Sequence, residues 1–247
     1  MRKIMCFSIP VVLVAILMGF SITNVVAGVC ELADFDSASF DNPQPNSYFP
    51  LEPKTTFVYE AETEEELIRN EITITKKKKT ILGVNCTVVY DVEWVYIEEE
   101  GEWFITEETY DWYANDNNGN VWYFGEETVE YLYNDDWDLI GTSEEGSWEA
   151  GVEGAEPGYL VLATPMPGDC YQQEYSEGEA EDRAKVLKLN ATVYIEYGDF
   201  DNCLVTKEWT PLDPGNVEHK YYAPGIGLVF IEELKEKTVL VELVEVH

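Results

Sequence analysis

Carboxylates are the commonest chemistry-bearing side chains in this sequence: 49 Asp and Glu stand against 15 Lys and Arg, and the histidines are His219 and His247. Two carboxylates about 5 to 9.5 Å apart can cleave a glycosidic bond. Glu174, Glu177, Glu179, Glu181 and Asp182 form the densest group in which to look for such a pair. In a chain this acidic, close pairs arise by chance, so their spacing alone carries little weight. Oxygen ligands also alternate before a glycine from Asn115 to Asn120, as in a calcium loop. Aligning Gly119 on that loop puts Ala114 at the first ligand position and Gly125 at the twelfth, so an Asn118-Gly119 hairpin turn is the simpler reading. Asp199 with Asp201, and Asp135 and Asp136 with Asp138, are left as weak divalent-cation binders by charge. No GxSxG nucleophile motif occurs, and His219, between Glu218 and Lys220, reads as a cross-strand surface residue rather than a base. No catalytic residue, resident metal or cofactor is expected.

Five cysteines follow, of which Cys6 lies in an N-terminal apolar segment. Cys30, Cys86, Cys170 and Cys203 remain, an even number that in an exported chain points to two disulfides with three possible pairings. Cys86 and Cys203 each share strand parity with a valine and so point toward a core. The pairing read from this is Cys86 with Cys203 and Cys30 with Cys170. Without a CxxC pair or a nearby histidine, zinc is not indicated.

Aromatic residues make up 13% of the chain, and Trp112, Tyr113, Trp122, Tyr123 and Phe124 crowd one hairpin. Such rings either fill a core as cross-strand pairs or line a cleft that stacks on a ligand. Trp112, Trp122 and Phe124, with Tyr222, are the candidate ligand-binding residues.

The elements that must position these residues are mostly strands. Period-two alternation marks Thr55 to Ala61, Leu67 to Thr75, Thr80 to Ile97 and Trp103 to Ala114. Lys76 to Lys79 reads as an exposed hairpin tip. Pro224-Gly225 reads as a type II corner, and Thr238 to Val246 as a last strand pairing with Leu228 to Glu232. Gly178 to Leu187 alone has helix-forming composition. The predicted fold is all-β, a single antiparallel domain over 49–247 built as a strongly curved sheet or partly open barrel with one short helix. Residues 28–48, rich in Asp, Ser, Asn and Pro, read as a flexible leader.

Arg2 and Lys3, an apolar run from Phe7 to Phe20 and the small residue Ala27 form the pattern of a secretory signal peptide over 1–27. The expected location is secreted or periplasmic. Cys30 as a lipidated N-terminus is the alternative, although Val29 stands where lipoproteins carry a small residue. Losing Arg2 and Lys3 takes the net charge from −34 to −36. That charge excludes nucleic acid and anionic membrane surfaces as partners. An apolar ligand or a protein partner remains open.

The strings Asp111-Trp112-Tyr113-Ala114 through Gly119-Asn120-Val121-Trp122, Gly146-Ser147-Trp148-Glu149, Tyr197-Gly198-Asp199-Phe200 and Tyr221-Tyr222-Ala223-Pro224-Gly225 resemble a group of uncharacterised secreted bacterial proteins with one all-β domain. The last strings also resemble the half-barrel carriers of lipids or lipoproteins in the periplasm. That likeness implies a concave apolar face. The expected role is non-catalytic binding of an apolar ligand or partner segment on such a face. Two alternatives are kept: an assembly protein of the envelope or extracellular matrix, and a secreted glycan hydrolase using two carboxylates.

Overall fold

A computed structural model describes residues 30–63, 66–234 and 239–247 of the chain. The signal-peptide segment lies outside the described residues. Among the described residues, fifteen strands form one antiparallel sheet. They are β1 (Thr56–Glu62), β2 (Leu67–Ile81), β3 (Val84–Ile97), β4 (Glu102–Asn115), β5 (Val121–Tyr133), β6 (Leu139–Ser143), β7 (Trp148–Glu149) and β8 (Glu156–Val161), then β9 (Cys170–Gln172), β10 (Glu174–Tyr175), β11 (Arg183–Ile195), β12 (Gly198–Trp209), β13 (Val217–Ala223), β14 (Gly227–Glu233) and β15 (Val239–Val246). The spatial order is β10-β8-β5-β4-β3-β2-β1-β15-β14-β13-β12-β11-β9, with β6 and β7 also on β5. Consecutive strands are mostly neighbours, as alternating polarity and short turns dictate.

The expected strongly curved sheet or partly open barrel is not what forms. The hydrogen-bond ladder stays open, because its end strands β10 and β9 do not pair, although only Gln173 separates them in the chain. The Gln173 amide is spent instead on Asp182 O at 2.7 Å. Side-chain packing, not pairing, joins the ends. Val121 of β5 and Val161 of β8 share a buried cluster with Tyr171, Val186, Leu204 and Tyr222 from the other end of the order.

The helix predicted over Gly178–Leu187 is a turn and a strand. Gly178 takes φ +79°, Ser176 bridges Ala180, and β11 begins at Arg183. Ala184 and Val186 are buried while Lys185 and Leu187 are exposed, so period two, with β9 and β12 available on either side, overrides the helix-favouring composition. The helical element among the described residues is a 3-10 turn at Ser37–Phe40, capped by Asp36. The lysine run lies inside β2 at a register shift, and the hairpin tip falls at Leu82-Gly83, where both residues have positive φ. Only Gly119 has positive φ in the Asn118-Gly119 turn, so the β4–β5 hairpin uses a longer loop rather than a type I′ pair. Gly225 at φ +81° fits the expected corner, and Phe230 pairs with Glu242 as the last hairpin requires.

Of the two expected disulfides, Cys30–Cys170 is present, whereas Cys86 and Cys203 are free and buried. Both do point into a core, as their parity indicated. There are separate cores, however. Cys86 packs with Trp112 and Phe124, and Cys203 with Tyr59 and Leu243. The segment read as a flexible leader is also part of the packing. Phe35 and Phe40 sit against Trp122 and Phe124 with ring centroids 5.6–6.0 Å apart. Buried Asn46 donates to Gly119 O at 2.8 Å and accepts from the amides of Tyr48 and Phe49.

Gly158 reports how tightly the sheet ends approach. A Cβ there would lie 2.4 Å from Gln172 O and 2.6 Å from Gln173 atoms, all backbone. Gly158→Ala is therefore expected to destabilise the protein by about 2–3 kcal/mol in urea unfolding. Gly141→Ala, where the added methyl meets open space, should cost less than about 0.5 kcal/mol. In the chain lacking residues 1–27, thiol titration should find no reactive cysteine in the folded state and two after unfolding without reductant.

Candidate functional site

The sheet face that carries Ile72 and Val89 builds the site. Antiparallel register puts Val89, Asp111 and Glu126 side by side across β3, β4 and β5. The next row is Ile72, Asp91, Thr109 and Thr128, and the next is Asn70, Glu93, Glu107 and Glu130. One face thus runs from aliphatic side chains into carboxylates within two strand positions.

The apolar part is a small hollow of about 50 Å³ with an open mouth. Phe57 and Tyr59 of β1, Ile72 and Ile74 of β2 and Val89 of β3 line it, closed by Phe49, Pro50 and the 226–228 corner. The Tyr59 hydroxyl, the polar group of this lining, donates to Leu228 O at 2.9 Å. Nothing else in the lining asks for a polar partner, so the lining suits a small apolar group.

The polar part is a hydrogen-bonded carboxylate row. Asn70 Nδ2 donates to Asp91 at 2.6 Å and the Tyr123 hydroxyl to Asp111 at 2.7 Å. Thr128 Oγ1 donates to Glu126 at 3.2 Å, Thr106 to Glu93 at 2.7 Å and Thr109 to Glu107 at 3.1 Å. Among the described residues no lysine, arginine or histidine forms an ion pair with these five acids. Desolvation is the first cause that raises each of them, and neighbouring acids add to it. Burial and the facing Asp111 push Glu126 up to about 8, and burial pushes Asp111 up to about 6. Asp91 is held well above the carboxylate range.

The residues anticipated as ligand-binding fall in two places. Trp112, Trp122 and Phe124 are buried in one cluster, covered by Phe35 and Phe40. Lys79 Nζ stands 3.1 Å from the Trp112 ring centre and pairs with Glu149. Tyr222 is buried in another cluster and donates to Glu208. None of the four lines the hollow. Asp116, at the heart of the calcium-like loop, is 2% exposed and accepts from the Asn118 and Asn120 amides, Asn120 Nδ2 and Trp122 Nε1. Its oxygens organise the loop. Among the described residues no three acids, cysteines or histidines are placed to hold a metal ion. His219 faces Glu232 across β13 and β14 at 3.4 Å. In the Glu174–Asp182 group Glu174 is buried and Glu177 and Glu179 are exposed, so burial separates acids that the sequence groups together.

Adjacency along the chain does not reveal the carboxylate row, whose members come from three strands. The legible signal is Asp91-x-Glu93, Glu107-x-Thr109-x-Asp111 and Glu126-x-Thr128-x-Glu130: polar residues at period two, on the positions where an inward face is expected to be aliphatic.

No family model matches the chain, and no curated protein sequence matches it. Among solved structures, it is similar to a candidate lipoprotein from Parabacteroides distasonis, with 12% identity, a TM-score of 0.40, and coverage of 83% of this chain and 100% of that one. A candidate exported protein with a YmcC-like fold from Bacteroides fragilis is similar at 14% identity and a TM-score of 0.40, over 83% of this chain and 99% of that one.

The carboxylate row sets a direction for pH dependence. An unfolded chain releases these protons near pH 4, whereas the folded row holds them to higher pH, so across that interval the folded state binds more protons. Stability therefore falls as pH rises, most of all from about pH 4 to 8, the window set by Glu126. Glu108 is a smaller opposing case, lowered by hydrogen bonds from the Tyr131 and Tyr90 hydroxyls. Urea midpoints should be higher at pH 5.5 than at 8.5. Glu126→Gln should stabilise the protein at pH 8.5 by about 1–2 kcal/mol and flatten the profile. A steeper profile in that variant would contradict the assignment.

Proposed function

We propose that this chain is an exported, non-catalytic β protein that holds an apolar ligand in the hollow between β1, β2, β3 and the 226–228 corner. The observation that supports this reading is the lining itself: five strand side chains from three adjacent strands and Phe49 enclose space without a polar group in need of a partner. The concave, ligand-bearing face inferred from the sequence thus moves from Trp112, Trp122, Phe124 and Tyr222, which pack as core, to the neighbouring aliphatic and aromatic wall.

Hexanol, short enough for a small hollow, should bind one to one with a Kd on the order of 1 mM, measured by calorimetry. Ile72→Trp, which puts a ring into the hollow, should abolish that binding with little change in the unfolding midpoint. Equal affinity in this variant would remove the reading.

Export as a free protein is supported by Cys30. Its sulfur is bonded to Cys170, and a sulfur in a disulfide cannot also carry a lipid thioether. A 140-residue separation makes this crosslink stabilising by about 2–5 kcal/mol in an oxidising compartment. Peptide mapping of the exported protein should recover Cys30 linked to Cys170; an acylated Cys30 would show the lipid-anchored alternative instead.

A second reading, assembly through a strand edge, has one observation in its favour. The short β6 leaves Leu139 and Ile140 55% and 67% exposed. Such an edge can accept another strand.

A further inference from the structure

Positive charge gathers on one sheet face of this acidic chain. Cross-strand register sets Lys185 of β11, Lys207 of β12 and His219 of β13 in one row, and Arg183, Trp209 and Val217 in the next. Lys188 joins the same face, its Nζ 6.0 Å from the ring centre of Tyr221. Lys207 Nζ stands 5.1 Å from the ring centre of Trp209. Lys185 and Lys188 are exposed, and Arg183, Lys207 and Trp209 are half-buried. Neighbouring strands run about 4.8 Å apart, so Lys185 and Lys207 are like charges directly opposite one another, a pairing that lowers stability. Acids outnumber bases 49 to 15 in the sequence. Even so, among the described residues none of Arg183, Lys185, Lys188 and Lys207 forms an ion pair. Glu232, which faces His219, is shared between that ring at 3.4 Å and the Tyr221 hydroxyl at 2.6 Å.

Lysines on an edge strand commonly keep other strands away. That accounts for Lys188, which lies past the residues that β9 pairs with. It does not account for Arg183 and Lys185, which β9 covers, nor for Lys207 and His219, whose strands lie inside the sheet. We infer that this face of β11, β12 and β13 binds a short anionic glycan, with its carboxylate or sulfate groups against Arg183, Lys185, Lys188 and Lys207 and a sugar ring against Trp209. Guanidinium and ammonium groups meet such anions through charge-assisted hydrogen bonds, and the indole offers an apolar surface to the ring. The backbone here is taken up by the ladders, so the face offers side chains alone. An extended acidic peptide would instead seek a strand edge. The chain's net charge repels polyanions at a distance, but that field fades over about 8 Å at physiological ionic strength, which favours a short ligand seated on the patch. No residue of this face lines the hollow, so the two sites stand or fall separately.

Calorimetric titration of the purified exported protein with a galacturonate hexamer, a heparin hexasaccharide, maltohexaose and hexaglutamate tests this. The expected result is binding of at least one anionic hexasaccharide about 10-fold tighter than hexaglutamate, weakening several-fold from about 50 to 150 mM salt, with no binding of maltohexaose. Which of the two anionic glycans binds tells carboxylate from sulfate. Lys185→Glu should lower that affinity about 10-fold yet raise the urea midpoint, because the glutamate pairs with Lys207 across the strands. Lys76→Glu, the same charge change at an exposed position of β2, should leave affinity within about 2-fold. Trp209→Ala should weaken the glycan and leave hexaglutamate unchanged. Binding of neither anionic glycan, or equal losses in Lys185→Glu and Lys76→Glu, would overturn the site. Hexaglutamate binding as tightly as the glycans, or glycan affinity untouched in Trp209→Ala, would overturn the glycan as its occupant.

Discussion

Gln173 stands between the two terminal strands of a single sheet, and the bonds it makes hold the molecule's two ends together. Its side-chain amide donates to Leu160 O and to Glu208, each at 3.3 Å. Glu208 in turn accepts from Thr206 at 2.6 Å and Tyr222 at 3.1 Å and pairs with Lys220 at 3.1 Å. A buried carboxylate on its own would be costly; here one ammonium group and three neutral donors satisfy both oxygens. The result joins β8 to β12 and β13, strands far apart in sheet order. Gly158, which leaves room for the 172–173 backbone, and the Cys30–Cys170 crosslink act on the same junction. With the ends fixed, the third apolar cluster can form between them, and Phe49 and Tyr48 pack against it on the side where the hollow opens.

The interior holds two kinds of acid, and the contrast organises the account of function. Glu208 has its cation. Asp91, Asp111 and Glu126 have only neutral donors, whose pull toward the ionised form is outweighed by burial, so these acids keep their protons to higher pH in the folded state. A protein stabilised solely by burial would place leucine or valine at these positions. Such a row therefore costs stability at neutral pH, and functional sites are where that kind of cost is commonly found.

The strand pattern was largely readable from residue order, because alternating side chains report directly on a half-buried sheet. Phe57 and Tyr59 lie in a strand, as their alternation indicated. Reading failed where distant partners decided the outcome. Gly178 to Leu187 favours a helix in isolation, but β9 and β12 offer two edges to pair with. The polar segment before Phe49 looks free of structure, yet Asn46 reaches Gly119, and the amide of Asn117 reaches back to Ser39 O, contacts more than seventy residues apart. Cys86 and Cys203 each point inward as expected, but parity does not say into which core. For the site, the aromatic hairpin was conspicuous and proved to be core. The chamber itself comes from ordinary apolar residues on β1, β2 and β3, whose convergence only the register reveals.

The central claim is that the hollow between β1, β2, β3 and the 226–228 corner receives an apolar group. Intermolecular nuclear Overhauser effects between bound hexanol and methyl-labelled protein test it most directly. Contacts are expected from the alkyl chain to the methyls of Ile72, Ile74, Val89 and Leu228. Contacts confined to exposed Leu139 and Ile140, or an alkyl chain lying among Trp112, Trp122 and Phe124, would contradict it.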